Sequence, residues 1–366
     1  MNFDYTDDQR HLRDEARRFL TARCPLSVAR SVLDDKTVTH DAVLWGQMAE
    51  QGWLGMSIPE SFGGLGLGAV ELGAIAEAIG AALAPVPFGS TLYLLAEAIK
   101  LAGSESQKQT ILPGIAQGRT IGCAALFEGA GDLDYARIGT RVTAGRLTGS
   151  KCPVVDGGIA DMALVVARED ERIGLYLAQL SENSVTRTTL EAIDGSMNVA
   201  RLDFADTPVA LLTADLRQIE ALLARAAVLY GFEQIGAADR CLRLTVDYVS
   251  ERQAFGGPVG RFQAVKHKLA DLYVANELAR SHVFHGSWAM QDAPDRLMQA
   301  AAAARLAACD AGWLTSKEAI HLHGAIGYTW DHDAHLFYRR AHHWSLNLGS
   351  PQSWKDRLFE ALAAAA

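Results

Sequence analysis

Apolar residues recur at helical spacing towards both ends of the chain and lose that spacing in the middle. From Thr6 to about Arg30, Leu12, Ala16, Phe19 and Leu20 stand among charges, which predicts an amphipathic helix ended before Pro25. A second helix is expected around Trp45 to Gln51, then a glycine-rich loop over residues 58–66, then helices near Ala69 to Ala84 and Thr91 to Ala102. Beyond Thr120 the apolar stretches become short and partly alternating: Thr120 to Phe127, Ile138 to Leu147, Met162 to Arg168, Gly174 to Leu180, Arg201 to Phe204 and Val209 to Leu212. After Asp215 long helical patterns return over about Leu216 to Arg252, Phe262 to Gln291 and Asp295 to Leu322. The order is helical, then β, then helical, without the βαβ alternation of a dinucleotide-type parallel sheet. An α+β multidomain fold follows, with a helical N-terminal domain (1–117), a β middle domain (118–214) and a C-terminal helical bundle (215–366).

Composition narrows the functional classes. With 366 residues, 49% of them hydrophobic and 21% charged, the chain can bury a large core. Its formal charge of -9, with no sustained basic run, argues against nucleic acid as the main partner. An anionic ligand therefore has to meet locally clustered cations; Arg243, Arg261, Lys266 and Lys268 lie near one another in sequence, with a solvated helix face the default for each. The five cysteines are odd in number and scattered, so reduced thiols in a cytoplasm are expected rather than a disulfide framework or zinc site. No membrane span of about 20 apolar residues can be placed. Residues His332, Asp333, His335, His342 and His343 lie close in sequence, but their spacing favours capping or subunit-contact roles over a metal site.

The densest chemical signal is the turn between the first two long C-terminal helices. There Arg252-Gln253-Ala254-Phe255-Gly256 is followed by Phe262-Gln263, with Gly and Pro between. This set resembles the flavin-contacting signature of acyl-CoA dehydrogenases. The resemblance extends over nearly the whole chain: Phe3, Gln9 and Pro59-Glu60-Ser61-Phe62-Gly63-Gly64 near the start, and Gly324-Ala325-Ile326-Gly327-Tyr328 near the end. It implies a β-barrel-like middle domain, a C-terminal four-helix bundle and FAD as cofactor. Arg252 would fork onto the pyrophosphate, with Phe255, Gln263, His321, Gly324 and Gly327 completing the cofactor contacts. It also implies an acyl-CoA substrate and an electron-transfer flavoprotein as electron acceptor.

The departures from the family pattern are as telling. In many members a Glu near the C-terminus removes the α-proton of the thioester; here Asn347-Leu348-Gly349-Ser350 places Leu348 there. A second family position for this base falls at Ala226, also without an acid. Glu233 lies two helical turns beyond Ala226, about 10 Å along the axis, and is either the candidate base within this chain or the partner of Arg240 or another structural cation. The small residues Ala226, Ala227 and Gly231 suggest a roomy helix face beside it. The backbone N–H of Leu348 could still serve the thioester oxygen. In the middle domain Phe127-Glu128-Gly129 stands where a Thr-Glu-Pro is usual, and Pro153-Val154-Val155-Asp156 replaces an aromatic-containing motif.

The segment from Gly327 to His335 is similar to one in bacterial acyl-CoA dehydrogenases of sterol and bulky-acid catabolism, several of them heteromeric. The expected role is thus α,β-dehydrogenation of a bulky acyl-CoA by a subunit that works with a second acyl-CoA dehydrogenase chain in an α2β2 heterotetramer. A homotetramer with a divergent site, and a non-catalytic paralogue on the same fold, stay open as alternatives.

Overall fold

A computed structural model describes residues 4–365; Phe3 lies outside the described residues. The chain opens with helices α1 (Asp7–Arg23), α2 (Leu26–Asp34), α3 (Ala42–Glu50) and α4 (Ala69–Ala82). A wholly buried π-helical stretch, Gly89–Ala96, then runs into α5 (Glu97–Ala102), and α6 (Glu105–Ala116) follows. Thr6 and Gln9 close a reciprocal capping box on α1, which stops short of Pro25 as its sequence predicts. Pro25 then opens α2, a helix its polar pattern did not announce.

Seven strands follow: β1 (Gly122–Ala125), β2 (Arg141–Thr143), β3 (Arg146–Val155), β4 (Met162–Glu169), β5 (Arg172–Gln179), β6 (Val185–Thr189) and β7 (Val199–Thr213). Pairing runs β4-β2-β3-β7-β5 and closes because β5 also pairs with β4; β1 lies beside β4, in parallel, and β6 beside β7. Closure removes the free edges of this ring. Its interior is filled by alternate residues such as Ala163, Val165 and Ala167 of β4 against Leu147, Val154, Leu202 and Phe204. The two pieces expected at 201–204 and 209–212 are one strand. Between Phe204 and Thr207 an extra residue bulges out, with Asp206 at φ 59°, and β7 passes from pairing with β6 to pairing with β5.

The C-terminal part comprises α7 (Leu216–Glu251), a two-stranded hairpin of β8 (Gln253–Ala254) and β9 (Gly257–Pro258), then α8 (Gln263–Asp292), α9 (Leu297–Leu322), α10 (Ala334–Leu346) and α11 (Pro351–Ala365). Helix α9 packs against α8, α10 and α11. Backbone contacts divide the chain into two compact units. One holds the chain up to Arg30, Gly73–Ala84 and everything from Ala227 on; the other holds Ser31–Leu72 and Pro85–Ala226.

Within the first unit, α4 and α7 approach backbone to backbone. A Cβ on Gly80 would stand 1.9 Å from the Glu233 carbonyl oxygen, and one on Gly236 would stand 2.0 Å from that of Glu77. Beside this crossing Glu77 is fully buried and accepts hydrogen bonds from Tyr5 Oη (3.0 Å), Arg280 Nη1 (2.8 Å) and Arg17. Arg280 also pairs with Asp239, which accepts from Asn276. A carboxylate at this depth is tolerable only with such partners. Burial, reinforced by the Glu77 charge, pushes the Tyr5 hydroxyl well above its ordinary range. Among the described residues no helix is long and apolar enough to cross a membrane.

Candidate functional site

The Arg252 turn is built by local geometry. The Arg252 N–H still donates to Tyr248 O (2.8 Å), after which the chain reverses through the β8–β9 hairpin. Phe255 and Gly256 form the two-residue tip, both at positive φ (54° and 81°), the signature of a type I′ turn. A phenylalanine in that conformation is costly, and Arg261 holds it there. Its guanidinium donates to the carbonyls of Phe255 and of Gly256 (3.2 Å) and lies 5.1 Å from the Phe262 ring centre. Phe262 in turn meets Phe255 edge-on at 6.0 Å. Arg261, a sequence candidate for ligand phosphates, is therefore occupied in shaping the turn. The side chain so positioned, Phe255, is 85% exposed. Arg252 and Gln263 are exposed as well, and the Arg252 guanidinium makes no hydrogen bond or ion pair among the described residues.

Tyr248, one turn before Arg252, links this turn to the C-terminal glycine turn. Its hydroxyl donates to His323 O (3.1 Å) and its ring stacks on the buried His323 imidazole at 4.3 Å. Desolvation lowers the His323 pKa, while its Nδ1 faces Ala319 O at 2.7 Å, which fixes that nitrogen as the donor. Gly324 adopts φ 66° in open space. Gly327 is buried, and a Cβ there would come within 2.4 Å of Ile320 O. His321 lies exposed at the end of α9, where its Nδ1 shares Glu318 with Lys268, each at 3.4 Å.

Past Gly327 the turn borders a cavity of about 390 Å³ walled by Tyr328, Trp330 and Tyr338, with Lys317 and Arg339 as its charged groups. Tyr248, a residue that carried no motif of its own, thus ties the helix turn before Arg252 to His323, the residue preceding Gly324. Its position four residues before Arg252, on the same helix face, was the available signal.

The positions expected to carry a base are placed differently. Ala226 is wholly buried in α7. Leu348 is 3% exposed and its carbonyl accepts from Trp354 Nε1 (3.0 Å), while its own N–H makes no hydrogen bond among the described residues. A buried unpaired donor of this kind calls for an explanation. Glu233 is 5% exposed and sits at the α4 crossing. The roomy face expected beside it does not exist: Ala226 and Ala227 are fully buried, and a Cβ on Gly231 would stand 2.8 Å from Val283. Small residues there serve close helix packing.

In the second unit Phe127 is buried, and residues 126–138 border a cavity of about 420 Å³ whose charged groups are Glu128, Asp132, Asp134 and Arg137. Glu128 receives Lys151 Nζ (2.8 Å) and the N–H groups of Gly139 (2.7 Å) and Thr140 (2.9 Å). Burial alone would raise its pKa, but these donors outweigh burial and hold it at about 2. Lys151 is itself fully buried.

A pyrophosphate-bearing cofactor fits the free Arg252, the small residues of the glycine turn and the cationic Lys317–Arg339 cavity. It does not fit the acidic 126–138 cavity, where the usual threonine is an aromatic. No group of three or more His, Cys, Asp or Glu among the described residues could hold a metal ion. His332 instead accepts from the Ala334 N–H (3.1 Å) at the start of α10, and His335 Nε2 binds Trp330 O (2.9 Å).

Comparison with known proteins agrees with this architecture. The family model "Acyl-CoA dehydrogenase, N-terminal domain" matches residues 6–119, and "Acyl-CoA dehydrogenase, C-terminal domain" matches residues 216–360. The chain is 35% identical over 335 residues to acyl-CoA dehydrogenase IpdE2 of Mycobacterium tuberculosis, covering 91% of this chain and 90% of that protein. Among solved structures it resembles the Tcur3481-Tcur3483 steroid ACAD (30% identity, TM-score 0.89, 98% of this chain and 99% of the other). It also resembles the ChsE4-ChsE5 complex of M. tuberculosis (27% identity, TM-score 0.90, 99% of both chains). With the barrel between two helical regions, the family models at either end and these relatives, the chain belongs to the acyl-CoA dehydrogenases, FAD-dependent oxidoreductases acting on CH–CH bonds.

Proposed function

We propose that this chain is one subunit of a heteromeric acyl-CoA dehydrogenase that forms an α,β double bond in the CoA thioester of a bulky, steroid-derived acid. The carrying observation is the asymmetry of its cofactor residues: the first unit carries an exposed, rigidly shaped Arg252–Phe255 turn with a free guanidinium, whereas the second unit's cavity is acidic and lacks the flavin-ring hydroxyl. A turn that reaches outwards while its own cradle is altered suits a chain that completes a site on a partner. The steroid label of one structural relative and the two-component names of both structures support the same reading.

In the reaction the Cα–H and Cβ–H bonds break and a C=C bond forms. The α-proton passes to a carboxylate, and the β-hydrogen leaves with both electrons. FAD, when bound, supplies the acceptor for that hydride, and an electron-transfer flavoprotein takes the electrons onward. For this chain the roles are holding and polarising. Arg252 with the Gly324–Gly327 turn binds the pyrophosphate, and the unpaired N–H of Leu348 donates to the thioester oxygen as enolate charge develops. Glu233 is the candidate base within the chain, and its packed surroundings favour a base held by the partner.

The test is to purify the chain alone and co-expressed with a second acyl-CoA dehydrogenase chain of the same organism, recording flavin absorbance and assembly mass. A colourless lone chain that gains flavin and dye-coupled activity only in a mixed assembly is expected. A yellow, active homotetramer would overturn the subunit reading. In the mixed assembly, Glu233→Gln with turnover near wild type assigns the base to the partner; loss of about 100-fold or more assigns it here.

A further inference from the structure

The first compact unit holds a second, larger cavity, about 540 Å³, where the α1–α2 junction meets the C-terminal half of α4 and residues 240–244 of α7. None of the cofactor-turn residues borders it. Its walls are mainly apolar, with Leu20, Leu26, Ala81 and Leu244 facing inwards, and three arginines, Arg17, Arg240 and Arg243, stand at its edge. The only carboxylate in the lining is Asp333, already held by Arg30 through two nitrogens at 2.7 and 3.2 Å.

Two of these arginines lack a direct side-chain partner. Arg240 and Arg243 make no side-chain hydrogen bond or ion pair among the described residues. Arg17 spends one nitrogen on Glu77, and its Nε is shielded from solvent without a partner. Burial disfavours the charged form of Arg17, the Glu77 carboxylate opposes that in part, and the positive charges of Arg13, Arg243 and Arg280 add smaller contributions on the side of burial. An incoming anion would relieve the repulsion among these cations. In a chain of net charge -9, a concave apolar surface bordered by Arg17 and by the two unpaired cations Arg240 and Arg243 favours a negative headgroup. The volume falls within the range of about 300–1,000 Å³ that encloses small organic ligands.

We propose that this cavity is a binding site for an amphiphilic organic anion, its carboxylate or phosphate head on Arg17, Arg240 and Arg243 and its apolar body against Leu20, Leu26 and Leu244. Guanidinium forks accept either head equally well in geometry. The proposal does not depend on which subunit carries the catalytic base.

Isothermal calorimetry on the assembled protein, with decanoate, decyl phosphate, 1-decanol and inorganic phosphate as probes, tests it. Saturable binding of decanoate or decyl phosphate, with 1-decanol and inorganic phosphate each at least tenfold weaker, is expected; the ratio of the two amphiphiles identifies the preferred head. Because Arg240 and Arg243 are exposed and unpaired, Arg240→Gln with Arg243→Gln leaves the fold intact, as circular dichroism will check, and weakens the amphiphiles about 10- to 100-fold. Arg243→Glu alone gives an independent variant with at least the same loss. The proposal fails if the assembled protein shows no saturable binding, as it would if a partner chain fills the cavity. It fails equally if both variants bind like wild type, or if inorganic phosphate binds as tightly as decyl phosphate.

Discussion

Replacing Gly80 by alanine tests the α4–α7 crossing directly. The added methyl would lie 1.9 Å from the Glu233 carbonyl oxygen and 2.5 Å from its carbon, both backbone atoms that no rotamer change can move. Ordinary contact needs about 3.5 Å, so the helices must part by more than an ångström. Overpacking in a core usually costs about 1–3 kcal/mol. Here the separation also loosens Gly73 against the Phe232 ring and the ion cluster around buried Glu77, so about 3 kcal/mol or more is expected.

Gly46 in α3 is the control: nothing lies within 4 Å of its added methyl, and Gly46→Ala should stabilise its helix by about 0.5–1 kcal/mol. A chain with two compact units has no single unfolding free energy. Local hydrogen exchange is therefore the better readout. Amides of residues 73–84 and 228–240 should exchange about 100-fold faster in Gly80→Ala, whereas α3 amides slow slightly in Gly46→Ala. Unchanged exchange in the first variant, or loosening of α3 in the second, would refute the packing argument.

Glu128→Gln should destabilise the barrel by about 3–5 kcal/mol as read from hydrogen exchange of its strand amides, because it strands the fully buried Lys151 ammonium; Lys151→Met should cost less. The Glu128 pKa is held at about 2, below its ordinary 4.5. Its contribution is therefore present above pH 4.5 and lost as pH falls through about 2. The gap between wild type and Glu128→Gln should narrow over that window, and a gap that persists at pH 2 refutes the linkage. Arg252→Lys, which keeps the charge but loses the fork, should weaken FAD retention by the assembled enzyme about tenfold in a fluorescence titration. Trp354→Phe removes the bond that pins the Leu348 carbonyl, and should lower kcat in the assembled enzyme several-fold more than it changes the chain's melting temperature.

The long helices were legible because their periodicity persists over many turns: α7 was expected to end at Arg252 and ends at Glu251. Helix α6 carries Pro113 and a mostly exposed polar first half, so no pattern announced it. The break assumed within β7 came from the polar Asp206-Thr207-Pro208 step, which the fold absorbs as a bulge rather than an end. The turn at Arg252–Phe255 could be read because its signature is contiguous. The role of Arg261 stayed open because nothing in sequence shows that its guanidinium turns back onto Phe255 O. Contacts such as Glu77 with Arg17 and Arg280, 60 and 203 residues away, carry no local signature at all. The same is true of the three arginines around the large cavity, drawn from two helices far apart in the chain.

That distance between Glu77 and Arg280 also sets an order of events on the ribosome. At about 5–20 residues per second, Glu77 is synthesised about 10–40 s before Arg280 exists to pair with it. Until then Glu77 has Tyr5 and Arg17 but lacks Arg280, and α1 and the end of α4 lack the α7 and α8 surfaces on which they are buried in the finished chain. The unit formed by Ser31–Leu72 and Pro85–Ala226 has all its residues by then. The emerging chain must therefore carry its first helix and the end of α4 as waiting segments, and these are the parts a chaperone or a nascent-chain protease would meet exposed.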